Sequence, residues 1–151
     1  MSQSLCKIYT HIVFHIKSTS SKIRQNDLTQ LHSYIGGIIN KMGGQSLCVG
    51  GVEDHVHVLC TLPKNESPCH LVEEIKKNSS HWIKTLGPYY EKFAWQGGYA
   101  IFSVSQSIVD RTTGYIRDQA KHHVRHTFRD EYLALLKIYQ ISFDEKYVFT
   151  D

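Results

Sequence analysis

The 151-residue sequence contains no apolar run long enough to cross a membrane and no pair of cysteines at C-x-x-C spacing. A membrane-spanning helix needs about 20 consecutive apolar residues, and structural zinc sites commonly draw on closely spaced cysteine pairs. The first residues also lack the basic and apolar regions of a secretory signal. We therefore expect a cytoplasmic protein whose cysteines are reduced and form no disulfide framework: Cys6, Cys48, Cys60 and Cys69.

The sequence has no internal repeat, no low-complexity segment and no linker of domain-boundary length. A chain of this size buries a real core as one unit, so we predict a single domain over residues 1–151. Neither charge sign dominates, because 17 basic and 14 acidic residues give a formal net charge of +3. A mildly basic balance permits nucleic-acid binding without requiring it.

Hydrophobic periodicity places strands and helices in a definite order. The strands are predicted at 5–16, 45–51, a segment containing His55 and His57 that ends before Pro63, and 99–104. Helices are predicted at 26–42, 68–86 after an N-cap at Ser67, from Ser105 or Ser107 to about 126, and 127–138. The order predicts an α+β, ferredoxin-like (RRM-like) fold, an antiparallel sheet with helices on one face and the third helix as a C-terminal addition. Its first and third strands would be the central pair.

The segment His55-Val56-His57-Val58 alternates as a β-strand does. His55 and His57 then lie on one face with their Cα atoms roughly 6–7 Å apart. Both imidazoles are close enough to bind one metal ion. The alternative is a pair of partly exposed strand histidines without a ligand.

Tyr115 and Gln119 are four residues apart, which places them on one face of the third predicted helix. An amide oxygen can bind a hard cation, and a phenol can attack a phosphorus that the cation polarises. Two imidazoles and one amide oxygen leave coordination positions open and suit Mn²⁺ or Mg²⁺ better than a structural zinc ion. The alternative is an ordinary amphipathic-helix tyrosine.

Several motifs along the chain carry a resemblance. They are His55-Val56-His57, Tyr115-x-x-x-Gln119, the segment 95–105, and the ending Phe128-x-x-Glu131 followed by residues 143–147. Together and in this order they resemble the single-tyrosine HUH transposases of bacterial insertion sequences. That family includes relatives associated with repetitive extragenic palindromes.

The resemblance implies a metal-dependent DNA transposase that cleaves and rejoins single-stranded DNA at hairpin-marked element ends through a 5′-phosphotyrosine. Tyr115 would be the nucleophile, and His55, His57 and Gln119 would bind a divalent cation, Mg²⁺ or Mn²⁺. The partners implied are single-stranded or hairpin DNA and a second copy of the chain. In such a homodimer the tyrosine helix would act in trans.

Charged and aromatic residues outside these motifs leave alternatives open. Four basic residues could contact DNA phosphates or form a solvated face, and we favour phosphate contact: Arg111, Arg117, Lys121 and Arg125. His122, His123 and His126 are predicted to face solvent or DNA, and His11 and His15 to pack on the sheet. The competing functions are a non-catalytic nucleic-acid-binding ferredoxin-like module, with Tyr9 stacking on bases, and a small metal-binding structural protein.

Overall fold

The computed structural model describes residues 2–151, which form four β-strands and five α-helices. In chain order they are β1 (Tyr9–His15), α1 (Leu28–Lys41), β2 (Ser46–Val52), β3 (His55–Thr61), α2 (Pro68–Lys84), β4 (Ala100–Val104), α3 (Val109–Arg117), α4 (Gln119–His122) and α5 (Phe128–Ile138). Among these described residues no helix is long and apolar enough to cross a membrane.

The four strands form one antiparallel sheet in the order β2-β3-β1-β4. This is the ferredoxin-like topology predicted from the sequence, and the α+β fold class is confirmed. The strand that contains His55 and His57 is therefore flanked on both sides, by β1 and by β2.

The two faces of the sheet bury different residues, as period-two alternation requires. One face presents Ile12, Phe14, Val56 and Val58, which pack with α1 and α2 in the main hydrophobic core. The opposite face carries the histidines and is covered by the C-terminal part of the chain. There, side chains of α5 pack on β1 and β4 in a second cluster: Val13, Ala100, Phe102, Phe128, Tyr132 and Leu136.

The boundaries of two predicted elements are wrong. The first strand begins at Tyr9 rather than residue 5, because Tyr9 pairs with Thr61 and β3 ends there, and beyond this pair the Ile8 carbonyl still accepts from Leu62 N–H at 2.8 Å. The helix predicted from Ser105 or Ser107 to about 126 is interrupted at Asp118, where α3 ends and α4 begins. Long-range contacts of Gln119, described below, override the helical periodicity there. The predicted N-cap of α2 is confirmed, since the Ser67 hydroxyl accepts a bond from the His70 N–H at 3.2 Å.

Gly50 fixes the distance between β2 and α3. A Cβ added at this buried glycine would lie 2.7 Å from the Ile116 carbonyl oxygen, next to Tyr115. We expect Gly50→Ala to lower the free energy of unfolding by about 1–3 kcal/mol, the usual cost of overpacking. The matched control is Gly114→Ala on α3, whose added Cβ meets no atom within 4 Å and which should stabilise the helix by about 0.5–1 kcal/mol. Urea denaturation measures both. If Gly50→Ala kept the wild-type midpoint, the close approach of α3 to β2 would be wrong.

Candidate active site

Three buried histidines form the floor of the site on the face of the sheet opposite α1 and α2. His55 and His57 are both fully buried, and His11 is 3% exposed. His11 Nε2 lies 2.8 Å from His57 Nδ1, and Asp54 Oδ1 lies 2.7 Å from His55 Nδ1. His55 and His57 are therefore each held by a hydrogen bond at Nδ1. The Nε2 atoms of both rings face the same space.

Glu131, on the first turn of α5, fills that space with a carboxylate that is 2% exposed. Its oxygens lie 2.9 Å from His57 Nε2 and 3.4 Å from His55 Nε2. The Gln119 side-chain amide donates to it at 2.9 Å, and the Tyr115 hydroxyl donates a short hydrogen bond to the same oxygen, Oε2. The residue thus connects the sheet histidines with the tyrosine of α3.

The buried charges shift the pKa values of the whole cluster. Burial alone would raise the pKa of Glu131, but hydrogen bonds from His55 and His57 outweigh it and hold that pKa well below its usual range. Burial lowers the pKa of His55, yet its bonds to Asp54, Glu131 and Gln119 raise it to about 9. Burial and then the hydrogen bond to Glu131 raise the pKa of Tyr115. At neutral pH the site therefore holds an anionic Glu131, a cationic His55 and a protonated phenol.

His57 and His11 can exchange hydrogen-bonding roles. When His57 donates Nε2–H to Glu131, its Nδ1 accepts from His11 Nε2–H, which fits two neutral rings. Burial indeed lowers the pKa of both, that of His11 to about 3. Binding a cation through Nε2 needs the opposite tautomer, with Nδ1–H donated to His11 Nε2. His11 serves either tautomer without moving.

The cluster also meets the geometric requirements of a metal centre. The ligand atoms of His55, His57 and Glu131 all lie within 4.8 Å of one another. Gln119 Oε1 is 2.8 Å from His55 Nε2, so the predicted amide ligand points at the same space. Partners behind the ligating rings, here Asp54 and His11, are what metal-binding histidines usually have. The residues present therefore fit a divalent cation with imidazole and oxygen ligands.

The chain is similar in sequence to one known protein family. Residues 4–119 match the family model described as transposase, IS200-like. The chain belongs to the IS200-like transposase family. A search of curated proteins finds no match.

Two solved structures share the fold of this transposase. A candidate transposase from Deinococcus radiodurans R1 is 17% identical with a TM-score of 0.60, and the alignment covers 79% of this chain and 98% of that one. A REP-associated tyrosine transposase bound to a REP hairpin is 18% identical with a TM-score of 0.57, covering 82% of this chain and 74% of that one. At these identities the likeness shows the fold.

The transposase brings together the four residues predicted for its chemistry: His55, His57, Tyr115 and Gln119. Of the predicted DNA contacts, Lys121 and Arg125 line an open groove of about 610 Å³ that also includes Tyr115. Arg117 instead lies near the Cys48 thiol, and Arg111 is exposed on α3. The groove is open to solvent, and Tyr115 and two of the four basic residues border it.

The sequence interpretation missed four participants in the cluster: His11, Asp54, His123 and Glu131. The prediction that the His123 side chain faces solvent is wrong, because that side chain is only 11% exposed. Its Nε2 lies 3.0 Å from Gln119 Oε1 and 3.2 Å from Glu131 Oε1. The sequence analysis named Glu131 only as part of the motif Phe128-x-x-Glu131 and gave it no role in the site. It also lies beyond the residues matched by the family model. His122, His123 and Glu131 form a second group of potential metal ligands. The spacing of two adjacent histidines eight and nine residues before a glutamate was the only local signal.

Proposed function

We propose that this transposase cleaves and rejoins single-stranded DNA at hairpin-marked ends, with Tyr115 as the nucleophile. The observation that carries the proposal is the position of the Tyr115 hydroxyl. It donates to Glu131, whose carboxylate also accepts from His57 at 2.9 Å. A phenol, a buried carboxylate and two imidazoles thus meet in one cluster, and the phenol also borders the open groove.

The chain's own residues orient the nucleophile. Attack forms a bond between the Tyr115 oxygen and phosphorus and breaks the bond from phosphorus to the 3′-oxygen, which leaves as a hydroxyl after taking up a proton. The phenol gives up one proton as the 3′-oxygen takes one up, so the step balances, and the hydrogen bond to Glu131 Oε2 orients the phenol. Rejoining reverses these steps with a different 3′-hydroxyl, so the phosphotyrosine conserves the energy of the broken bond.

A cation would be held by His55, His57 and Gln119, with Glu131 as a further oxygen ligand. Mg²⁺ or Mn²⁺ at this position would polarise the scissile phosphate and favour the phenolate form of the nucleophile. Asp54 would keep His55 Nε2 directed at the ion, and His11 would do the same for His57.

Metal dependence is the direct test. With a hairpin oligonucleotide copied from any palindrome found in the DNA that flanks the gene, we expect cleavage in Mn²⁺ or Mg²⁺ and none in excess chelator. His57→Ala should lower cleavage by more than about 100-fold, because a direct ligand matters more than the residues behind it. The control is His81→Ala, an exposed histidine on α2, which should cleave normally. Undiminished cleavage in chelator would contradict the proposal.

The predicted homodimer with a tyrosine acting in trans is retained as a proposal with its own test. Within one chain the Tyr115 and His57 rings are already 5.7 Å apart, so action in cis needs no rearrangement. Mixing Tyr115→Phe with His57→Ala chains decides the matter. Trans action predicts that the mixture regains cleavage, since one composite site is intact, and cis action predicts none. Sedimentation of the wild-type chain at micromolar concentration tests the dimer itself.

We also retain the prediction of a single domain over residues 1–151. The packing of Phe128, Tyr132 and Leu136 on β1 and β4 supports it. The competing function, a non-catalytic nucleic-acid-binding ferredoxin-like module, needs an open sheet face with exposed aromatic rings. Here α3, α4 and α5 cover that face, and Tyr9 packs beside the cluster of Leu59 and Val104. The catalytic function is therefore favoured.

A further inference from the structure

We propose that Ser18, with Lys17 beside it, binds a phosphodiester of the single-stranded DNA. We further propose that the Asp151 carboxylate competes with DNA for this phosphate-binding site, called here the Ser18 site. The inference rests on the proposed function, because it concerns the same substrate. It assigns a binding role to the loop that follows β1, to which none of the motifs above gives a function.

Ser18 presents two donors to the two oxygens of one anion. Its backbone N–H donates to Asp151 Oδ1 at 2.9 Å, and its hydroxyl donates to Asp151 Oδ2 at 2.5 Å. These bonds, followed by the charge of Lys17, lower the pKa of Asp151, so the carboxylate is an anion at neutral pH. The paired non-bridging oxygens of a phosphodiester offer the same two acceptors, and backbone N–H groups with serine hydroxyls are common phosphate ligands.

The loop is held in shape by bonds that do not involve Asp151. Lys17 N–H donates to the Ala94 carbonyl at 2.9 Å, and Ser20 N–H donates back to the Lys17 carbonyl at 3.0 Å. The Ser20 hydroxyl in turn accepts from Ala94 N–H at 3.0 Å. The donors of Ser18 are therefore preorganised, which spares a ligand the cost of ordering them.

A small cavity of about 210 Å³ lies between the Ser18 site and the Phe128 ring beside the catalytic cluster. Its lining includes Lys17, Ser18, Asp54 and Phe128, and the Phe128 ring stacks on His55 with centroids 4.4 Å apart. The Asp54 carboxylate in this lining is hydrogen-bonded to His55 Nδ1 at 2.7 Å. A DNA strand whose phosphate lies at Ser18 would continue towards the metal ligands.

His15 adds a second polar group to the same cavity. Its Nε2 is buried and, among the residues that the structure describes, has no hydrogen-bond partner. Its Nδ1 is occupied by the Ile16 carbonyl at 2.9 Å. A buried ring nitrogen without a partner is unusual, and a shift of the His15 ring would be needed to bring it to a nucleotide in the cavity.

The test measures binding alone, with Tyr115→Phe protein, no added metal and a fluorescein-labelled oligothymidylate followed by anisotropy across a salt series. We expect Asp151→Asn to tighten binding about threefold and to make the salt slope steeper by about 0.7, the value of one additional phosphate contact on a single strand. Glu145→Gln is the matched control, because it removes the same charge from an exposed residue of the same tail. It should leave the slope unchanged.

Adding Ser18→Ala to Asp151→Asn should abolish the gain in DNA affinity, since the Ser18 site loses its hydroxyl donor. Equal effects of Asp151→Asn and Glu145→Gln, or a gain that survives Ser18→Ala, would overturn the inference and leave the proposed function standing. Absence of oligothymidylate binding by every variant would overturn the inference alone, because the proposed function concerns hairpin DNA and is tested by cleavage.

Discussion

Replacing Tyr115 with phenylalanine is expected to abolish the covalent protein–DNA adduct and to lower strand cleavage by at least about a thousandfold, as loss of a nucleophile does. The change removes one oxygen and keeps the ring, which packs against His57 and His122 with centroids 5.7 and 5.6 Å apart. The lost hydrogen bond to the buried, charged Glu131 carboxylate lowers the free energy of unfolding by about 1.5–3 kcal/mol. The variant should therefore fold and bind DNA as the wild type does.

Tyr9→Phe is the matched control, because Tyr9 packs against the same hydrophobic cluster as Tyr115. It should form the adduct at the wild-type rate. The readout is a labelled oligonucleotide that stays with the protein on a denaturing gel. An adduct formed by Tyr115→Phe would mean that another residue attacks, and the role given to α3 would be wrong.

The fold was predictable because its determinants are local. In β1 and β3, alternate residues belong to opposite faces, and this pattern alone placed Ile12 and Phe14 in the core and His55 and His57 on the other face. The strand and helix order then admits few topologies, since consecutive elements pack as neighbours. The start of β1 was missed because a strand ends where its partner ends, which periodicity does not report.

The site was predictable only in part, because half of it depends on contacts between distant segments. Two histidines on one strand share a face by geometry alone. Glu131 is 74 residues from His57 along the chain, and an acidic residue in the first turn of a helix ordinarily serves the helix dipole. Nothing local separates that role from a buried carboxylate bonded to histidines. The break at Asp118 has the same origin, since Gln119 is held by His55 and Glu131.

Glu131→Gln is expected to lower the free energy of unfolding by about 3 kcal/mol in metal-free buffer. The side chain keeps its size, but the buried His55 and His57 lose their shared anion. Removing one member of a buried charged group costs about 3–5 kcal/mol, and Asp54 still holds His55, which places the expectation at the lower end. Asp130→Asn is the matched control, an exposed neighbour on the same helix turn, and should cost less than about 1 kcal/mol.

The response of the same variant to Mn²⁺ separates two roles of Glu131. A ligand that binds only the folded state stabilises it, by about 2.7 kcal/mol at a concentration 100 times its dissociation constant. If Glu131 is itself a ligand, as its position among His55 and His57 suggests, the variant gains less from a fixed concentration of Mn²⁺ than the wild type does. If Glu131 merely occupies the histidines, its removal frees their Nε2 atoms and the variant gains more. We expect the smaller gain, because the variant gives up an anionic oxygen beside a divalent cation and receives only a neutral amide in return.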